Sequence, residues 1–494
     1  MKLSQLLSIF PQLRWGNAAD LAVTQITSDS REVKNGTVFV AIQGTTADGH
    51  NFLEAVVRAG AVALVVEHEG KIPADFSGAV VQVGSTRQAL EQLAQRYYGD
   101  PAKDLFCFGV TGTNGKTTIT YMIEKIMSEF GWPTGVVGTI DHHLGEKVWV
   151  SQLTTPDPLT LQKRMREFVD LGARAAAFEV SSHALSQSRA DTLPFAVGIF
   201  TNFTRDHLDY HKTMEQYFAA KERLFSHLLG RHASVALAVL NGDDPWIRKT
   251  QVREGVTTWW YGTKNADFQF KVIRQDLNGS VFELNTPYGK HEFLLPCTGL
   301  HNVYNATAAI AASRAAGVSL EIAARALAKF YGAPGRLEKV PNDRGLHIFV
   351  DYAHTDDALR TVLTALANVR AQSQSPGRII TVFGCGGDRD RGKRPLMAKA
   401  ASEWSDVLVV TSDNPRSEDP RAIIDEILVG IPQQWRGQCF VETDRRAGLA
   451  RALQSAHDGD VILVAGKGHE DYQIIGNQRF SFSDKQEVIN LLKG

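Results

Sequence analysis

Short apolar runs and longer amphipathic stretches alternate along most of the chain. In the first hundred residues, 38–42 and 63–66 are apolar runs that read as strands, while 52–59 and 86–98 carry helical periodicity. The Gly-Asp-Pro cluster at 99–101 marks a boundary. Beyond it, 105–110 is a buried-type strand that enters a Gly/Thr-rich turn and then a helix over 117–130. Further strands are predicted at 135–137, 175–180, 196–200 and 235–240, with helical patterns between most of them. Continuous apolar strands alternating with helices predict a parallel sheet covered on both faces. Residues 268–295 differ: they alternate with period two around Asn-Gly and Tyr-Gly pairs, which predicts a short antiparallel segment. Helices follow at 302–316 and 320–330, and the Gly- and Pro-containing stretch 332–336 breaks the pattern. Strands at 348–350, 379–383, 407–410 and 461–464 then predict a second, smaller doubly wound sheet with ligand loops at the carboxyl ends of its strands.

The fold class is therefore α/β with three domains: a small N-terminal α/β domain (1–100), a central parallel sheet like that of P-loop NTPases (101–334) and a C-terminal doubly wound domain (335–494). At 43% hydrophobic and 22% charged residues, the 494-residue chain has ample material for several cores. Its formal net charge of -1 gives nucleic acid or an anionic membrane no global attraction, so anion binding must come from local clusters. Cys107, Cys297, Cys385 and Cys439 are far apart, which argues against a zinc or disulfide framework. The amphipathic N-terminus lacks a long apolar run, and no stretch approaches the ~20 apolar residues of a membrane span. A soluble, cytosolic chain is expected.

Seven polar motifs carry the candidate chemistry. TGTNGKTT (111–118) stands between a predicted strand and a helix, the context a phosphate-binding loop requires. Lys116 is placed to reach β- and γ-phosphates, and the Thr117 hydroxyl to hold Mg2+. Val110 replaces the first glycine of the common motif, but the core from Gly112 to Thr117 is intact. A Gly-rich surface turn is the bland alternative. EVSSH (179–183) puts Glu179 at a strand end, where a carboxylate suits Mg2+ or simply caps a loop. TNFTRDHLDYH (201–211) reads as a polar loop rather than zinc, since it offers no thiolate. Lys221 lies in a helical run over 214–229 and alone resembles any solvated lysine. GCGGDRDRGKR (384–394) follows a strand and interleaves glycines with cations, which suits an anion, with a charged hairpin as the alternative; in SDNPRSEDP (412–420), also after a strand, Pro415 and Pro420 fix a turn that can point Arg416 inward, with a surface turn as the alternative; AGKGHE (465–470) again follows a strand. With DYAH (351–354) they make four loops that one sheet edge can bring together.

Taken in order, these motifs resemble the Mur ligases over essentially the whole chain, and within that family the members that add diaminopimelate. The resemblance implies ATP-dependent amide formation, through an acyl phosphate, between UDP-N-acetylmuramoyl-L-alanyl-D-glutamate and meso-2,6-diaminopimelate in peptidoglycan precursor synthesis. It further implies a monomeric cytoplasmic enzyme serving cell shape and division. Gly112, Thr113, Asn114, Gly115, Lys116, Thr117 and Thr118 would hold ATP phosphates, Asn302 and Asn305 the adenine side, and Arg336 and Asp351 the γ-phosphate and ribose. Thr117 and Glu179 would hold one Mg2+; Glu179, His207 and a carbamylated Lys221 would hold a second. Ser28, Ser30, Thr45, Thr46 and Ala47 correspond to the uridine pocket. Thr154, Thr155, Ser181, Gln187 and Arg189 correspond to the muramoyl-peptide contacts. Arg389, Asp413, Asn414, Pro415, Arg416, Gly466 and Glu470 correspond to the amino-acid pocket. Diaminopimelate differs from L-lysine by a carboxylate beside its far amine, and the planar guanidinium of Arg416 suits that group. Asp356 stands where the family commonly has proline. An L-lysine-adding enzyme, a folylpolyglutamate synthetase-like ligase and a catalytically silent nucleotide-binding module are the competing readings.

Overall fold

The computed structural model describes residues 1–14, 21–44, 47–69, 72–231, 233, 235–371, 377–435 and 437–493. Thr45 and Thr46 lie outside them. The chain divides into two compact units, the first comprising 1–116, 130–260 and 311–318, the second 117–129, 261–310 and 319–494.

The first unit contains a five-stranded sheet in the order Leu13–Arg14, Ala79–Gln82, Ala61–Val66, Thr37–Val40, Gln25–Thr27, parallel except at Leu13–Arg14. Successive side chains point to opposite faces. Val38 and Val40 accordingly join Leu3, Leu6, Leu90 and Leu93 in one core, while Phe39 joins Leu53, Val56 and Leu64 in another. The same unit holds five parallel strands in the order Leu237–Asn241, Phe195–Phe200, Phe106–Thr111, Ala175–Glu179, Thr134–Val137. Apart from half-buried Phe106, all are buried along their length, which is why they read as uninterrupted apolar runs. Phe168, Phe178, Phe195, Phe200 and Phe225 are fully buried here, each contributing about 2 kcal/mol of apolar transfer. Glu179 pairs in register with Val110 and Phe200 with Thr111, so three polar loops leave one edge together.

In the second unit, Phe268–Asp276, Gly279–Thr286 and Gly289–Leu295 form the expected antiparallel segment, turning at the Asn-Gly and Tyr-Gly pairs. Helices Leu300–Arg314 and Leu320–Leu327 follow. A six-stranded sheet then runs in the order Glu338–Val340, His347–Asp351, Val461–Ala465, Ile379–Phe383, Val407–Thr411, Cys439–Glu442, parallel except at Glu338–Val340. Asp356 takes the first position of helix Asp356–Arg370, behind a Thr355 cap that accepts from Ala358 N. Proline is favoured at that position for its fixed φ and an acid for its charge against the helix dipole, so the departure leaves the helix start intact.

The run 214–229 is not one α-helix: it is α-helical over Met214–Arg223 and continues as a wider π-type turn over Leu224–Leu228. No helix among the described residues is long and apolar enough to cross a membrane.

Candidate functional site

The phosphate loop leaves strand Phe106–Thr111 and enters helix Lys116–Glu129. Gly112 has φ +144°, and a Cβ there would stand 1.9 Å from Thr201 Oγ1, so only glycine fits. The segment 201–204 braces the loop. Thr113 N donates to Asn202 O at 3.0 Å, Asn114 N to Asn202 Oδ1 at 2.9 Å, and Thr201 Oγ1 to Asn114 O at 2.5 Å. The first half of the 201–211 motif thus shapes the loop.

Two lysines converge on it. Lys116 Nζ donates to Gly112 O at 2.9 Å and to Thr113 O at 2.8 Å. Lys221 Nζ, almost completely buried, donates to the same Gly112 O at 2.8 Å and lies 4.7 Å from the centre of the Tyr217 ring. Burial and the neighbouring Lys116 hold the Lys221 amine well below the usual lysine range, against the opposing pull of Asp206. Tyr217, whose hydroxyl lies 3.3 Å from Thr113 Oγ1, is pushed up to about 12 by burial.

His207 is exposed and takes the left-handed conformation at φ +52°, a strain of roughly 1 kcal/mol, at the start of the short helix Leu208–His211. Its ring centre lies 5.0 Å from His183 and 5.9 Å from Tyr217, so His207 and Lys221 flank the same tyrosine. Sequence reasoning gave His183 and His211 no role. Both sit in this cluster, and His211 Nε2 lies 2.9 Å from Ser182 Oγ. Burial and the neighbouring histidines lower His211 to about 4, so it is neutral near pH 7.

Glu179 is buried, with its carboxylate accepting from Thr139 N at 2.9 Å and Thr139 Oγ1 at 3.0 Å. Thr139 Oγ1 also lies 3.0 Å from Thr154 Oγ1. Thr155 Oγ1 donates to Glu179 O at 2.7 Å and accepts from Ser181 N at 3.0 Å, and Arg189 donates to Thr155 O. Thr154, Thr155, Ser181, Arg189 and Glu179 are therefore brought together. Gln187 Nε2 donates to Tyr210 Oη at 3.1 Å. At the amino-terminal sheet, Ser28 is exposed after strand Gln25–Thr27, and Ser30 opens a turn capped by Asp29. Ala47 is exposed, next to a brace that sequence reasoning missed: His50 Nδ1 is 2.7 Å from Asp48 Oδ1 while its Nε2 accepts from Glu67 N at 3.0 Å. Asp48, His50 and His68 have metal-ligand spacing, but both His50 nitrogens are taken by these bonds.

In the second unit, Thr117 is buried and Thr118 half-buried on the helix that continues the phosphate loop. Asn302 and Asn305 are buried one turn apart on helix Leu300–Arg314, with Asn302 Nδ2 donating to Thr298 O at 2.8 Å. Asp351 accepts from Leu337 N at 2.7 Å and Ala353 N at 2.8 Å, yet burial still holds its carboxyl above the usual range. The Arg336 guanidinium lies 5.6 Å from the centre of the Tyr352 ring.

The loops of the six-stranded sheet do converge. Asn414 Nδ2 donates to Glu470 Oε2 at 2.8 Å, and Gly387 N donates to Asn414 O at 2.9 Å. Lys467, completely buried and absent from the sequence-based candidates, lies 3.3 Å from Asn414 Oδ1 and 3.2 Å from Glu470 Oε2. Gly466 has φ +114°, and a Cβ there would stand 2.7 Å from Asp413 Oδ2. Burial raises Asp413 against the pull of Arg445 and Lys467. Pro415 is buried; Arg416, at φ +52°, donates from Nη1 to Gly387 O at 2.7 Å rather than turning outward, and Glu418 is held by Arg394. Arg389 is exposed on its loop.

Three family models match the chain: the Mur ligase family, catalytic domain, over residues 22–98; the Mur ligase middle domain over 110–313; and the Mur ligase, glutamate ligase domain over 335–468. The chain is 42% identical to the UDP-N-acetylmuramoyl-L-alanyl-D-glutamate–2,6-diaminopimelate ligase of Geobacter metallireducens, over 99% of this chain and 98% of that protein. It is 43% identical to the protein of the same name from Aquifex aeolicus, over 96% of this chain and 94% of that one. A solved structure of a UDP-N-acetylmuramoyl-L-alanyl-D-glutamate–2,6-diaminopimelate ligase matches with a TM-score of 0.73 at 33% identity, covering 100% of this chain and 99% of that one. With its phosphate loop, strand-end motifs and this full-length similarity, the chain belongs to the Mur ligase family.

Proposed function

We propose that the chain is an ATP-dependent ligase that joins meso-2,6-diaminopimelate to UDP-N-acetylmuramoyl-L-alanyl-D-glutamate. The observation that carries this reading is 42% identity, over 99% of the chain, to a protein named for that reaction. The geometry supplies parts suited to it. The γ-phosphoryl group of ATP passes to the free glutamate carboxylate, giving an acyl phosphate and ADP. The amine of the amino acid then attacks the acyl carbon, and inorganic phosphate leaves with its bonding pair as the amide forms. Positioning and charge neutralisation dominate such phosphoryl transfer. Lys116 and the N–H groups of residues 115–118 neutralise phosphate oxygens at the helix start. Asn302 and Asn305 hold the adenine side, and Arg336 and Asp351 the γ-phosphate and ribose.

The donor set suits magnesium, a hard cation that takes oxygen ligands: the Glu179 carboxylate, the Thr117 hydroxyl and a carbamate on Lys221, with His207 adding a nitrogen. Bound by these residues, magnesium would supply positive charge to offset the charge of the phosphate groups. The Lys221 amine, depressed by burial and by Lys116, is suited to a carbamate because only the neutral amine attacks CO2. The nitrogen–carbon bond forms as one C=O π pair of CO2 moves onto oxygen, one amine proton leaves to solvent, and the neutral amine becomes an oxygen-bearing anion. His207, exposed in a left-handed turn, is free of the sheet to meet a ligand.

Ser28, Ser30, Thr45, Thr46 and Ala47 take the uridine part of the nucleotide substrate in this reading. Thr154, Thr155, Ser181, Gln187 and Arg189 take its muramoyl-peptide part. Arg389, Asp413, Asn414, Pro415, Arg416, Gly466 and Glu470 take the amino acid. The division into domains at 1–100, 101–334 and 335–494, a monomeric state, a cytoplasmic location and a part in cell shape and division belong to the same proposal. Phosphate release tests the reaction class. Release should require nucleotide-dipeptide and amino acid together and match amide formed one for one; hydrolysis of ATP indifferent to both would overturn it.

A further inference from the structure

A buried ion pair stands behind the proposed amino-acid loops. Arg445 and Asp484 are each the first residue of a helix, Arg445–Ser455 and Asp484–Lys493, and both side chains are completely buried. Arg445 Nε and Nη2 each donate to an Asp484 carboxylate oxygen at 2.7 Å, a two-pronged contact. The guanidinium has further donors, and they reach backbone: Nη1 donates to Ser412 O at 3.0 Å and Nη2 to Ala465 O at 3.1 Å.

Those two carbonyls are telling. Ser412 immediately precedes Asp413, and Ala465 immediately precedes Gly466. Their strands, Val407–Thr411 and Val461–Ala465, are not neighbours, because Ile379–Phe383 lies between them in the sheet. The rigid fork of Arg445 therefore spans three strand ends and ties together the roots of both loops. Asp484 fixes the plane of that fork and supplies the charge that keeps the cation buried. Neither residue lies in any of the seven motifs.

We propose that the Arg445–Asp484 pair is a positioning device for the amino-acid pocket, setting the separation of the loops that begin at Asp413 and Gly466. This rests on the assignment of those loops to the amino acid. Moving either root displaces the Asn414–Glu470 contact, and with it the groups that would grip the ammonium and carboxylate of the incoming amino acid.

The test uses Asp484→Asn, which keeps shape and removes charge, and Arg445→Lys, which keeps charge and loses the fork. KM is measured for the amino acid, ATP and the nucleotide-dipeptide; KM does not scale with the fraction of active protein, so partial unfolding does not obscure it. Both variants should raise the amino-acid KM about tenfold or more while the other two stay within about twofold, and Arg445→Lys, which loses the fork that reaches both loop roots, should have the larger effect. Unchanged amino-acid KM in a folded variant overturns the proposal. A parallel rise in all three KM values, or failure of both variants to yield any folded enzyme, assigns the pair to folding and overturns it too. The unmodified enzyme separates this from the substrate reading: if it uses a different amino acid, that reading fails, and the pair is judged on the KM of the amino acid it does use.

Discussion

The phosphate loop and the loops proposed to take the amino acid are built by opposite means. The phosphate loop takes its shape from backbone: a glycine with no room for a Cβ, carbonyls turned toward two lysines, and a brace of main-chain and amide bonds from 201–204. The amino-acid loops are set by side-chain ions, with Lys467 tied to Asn414 and Glu470 and the Arg445–Asp484 fork at their roots. The backbone-built loop carries its motif in a few consecutive residues, with its brace and Lys221 supplied from 88 and 109 residues away. An ion-built site depends on partners far apart in the chain, and burial makes each partner costly to lose.

The largest effects should fall on the backbone-built loop. Lys116→Ala should lower kcat/KM for ligation by about 10³-fold or more with secondary structure unchanged. Gly112→Ala should be as severe, because it adds both a clash with Thr201 and an unfavourable φ. Steady-state rates together with circular dichroism check both; near-normal turnover in either folded variant would remove the nucleotide assignment. Lys221→Ala should lose about 10²-fold or more, and millimolar formate or acetate should restore part of it by supplying the missing carboxylate. Full activity without additive would show that no carbamate is needed.

Arg416→Ala probes the ion-built side. The amino-acid KM should rise about 10²-fold, the preference for diaminopimelate over lysine should shrink, and the ATP KM should hold. Equal loss for both amino acids would leave Arg416 a shaping residue rather than a selecting one.

The smallest effect sharpens the contrast by taking a buried acid tied chiefly to backbone. Glu91 accepts from Asp191 N at 2.9 Å and is pushed up to about 9, first by burial and then by the Asp191 carboxylate. Its folded value lies above its unfolded one, so it contributes stability below about pH 4.5 that is lost as pH rises toward 9. Glu91→Gln keeps the acceptor and removes the titration. It should stabilise by roughly 2 kcal/mol at pH 8 and by little near pH 4.5. A pH-independent difference in thermal midpoints would contradict this.

Much of the architecture was legible because fully buried strands announce themselves as apolar runs, as at 105–110, 379–383 and 461–464. The Asn-Gly and Tyr-Gly pairs marked the antiparallel turns correctly. Among what escaped were short or half-exposed strands without such runs, the hairpin Asp141–Leu144 with Lys147–Val150, Cys439–Glu442, and the hairpin Tyr472–Ile475 with Gln478–Ser481, and also Ala79–Gln82, a short buried apolar run that went unread. The phosphate loop was legible because its motif is consecutive, whereas its brace from 201–204 lies 88 residues away and was not read with it. His183 and His211 lay inside recognised motifs, but only packing places them around His207. Arg445 and Asp484 are 39 residues apart, and nothing in either neighbourhood signals the other. Lys467 sat in a recognised motif, but its place there is set by its complete burial against Glu470, which only the fold shows.

The central claim is the identity of the added amino acid. Incubating the unmodified enzyme with ATP, magnesium, UDP-N-acetylmuramoyl-L-alanyl-D-glutamate and equal concentrations of meso-diaminopimelate and L-lysine, then weighing the nucleotide product, tests it directly. The account predicts the diaminopimelate adduct in large excess, because a site built to meet a polar group can reject the analogue lacking it by ~10⁴-fold. A product carrying predominantly lysine would contradict it.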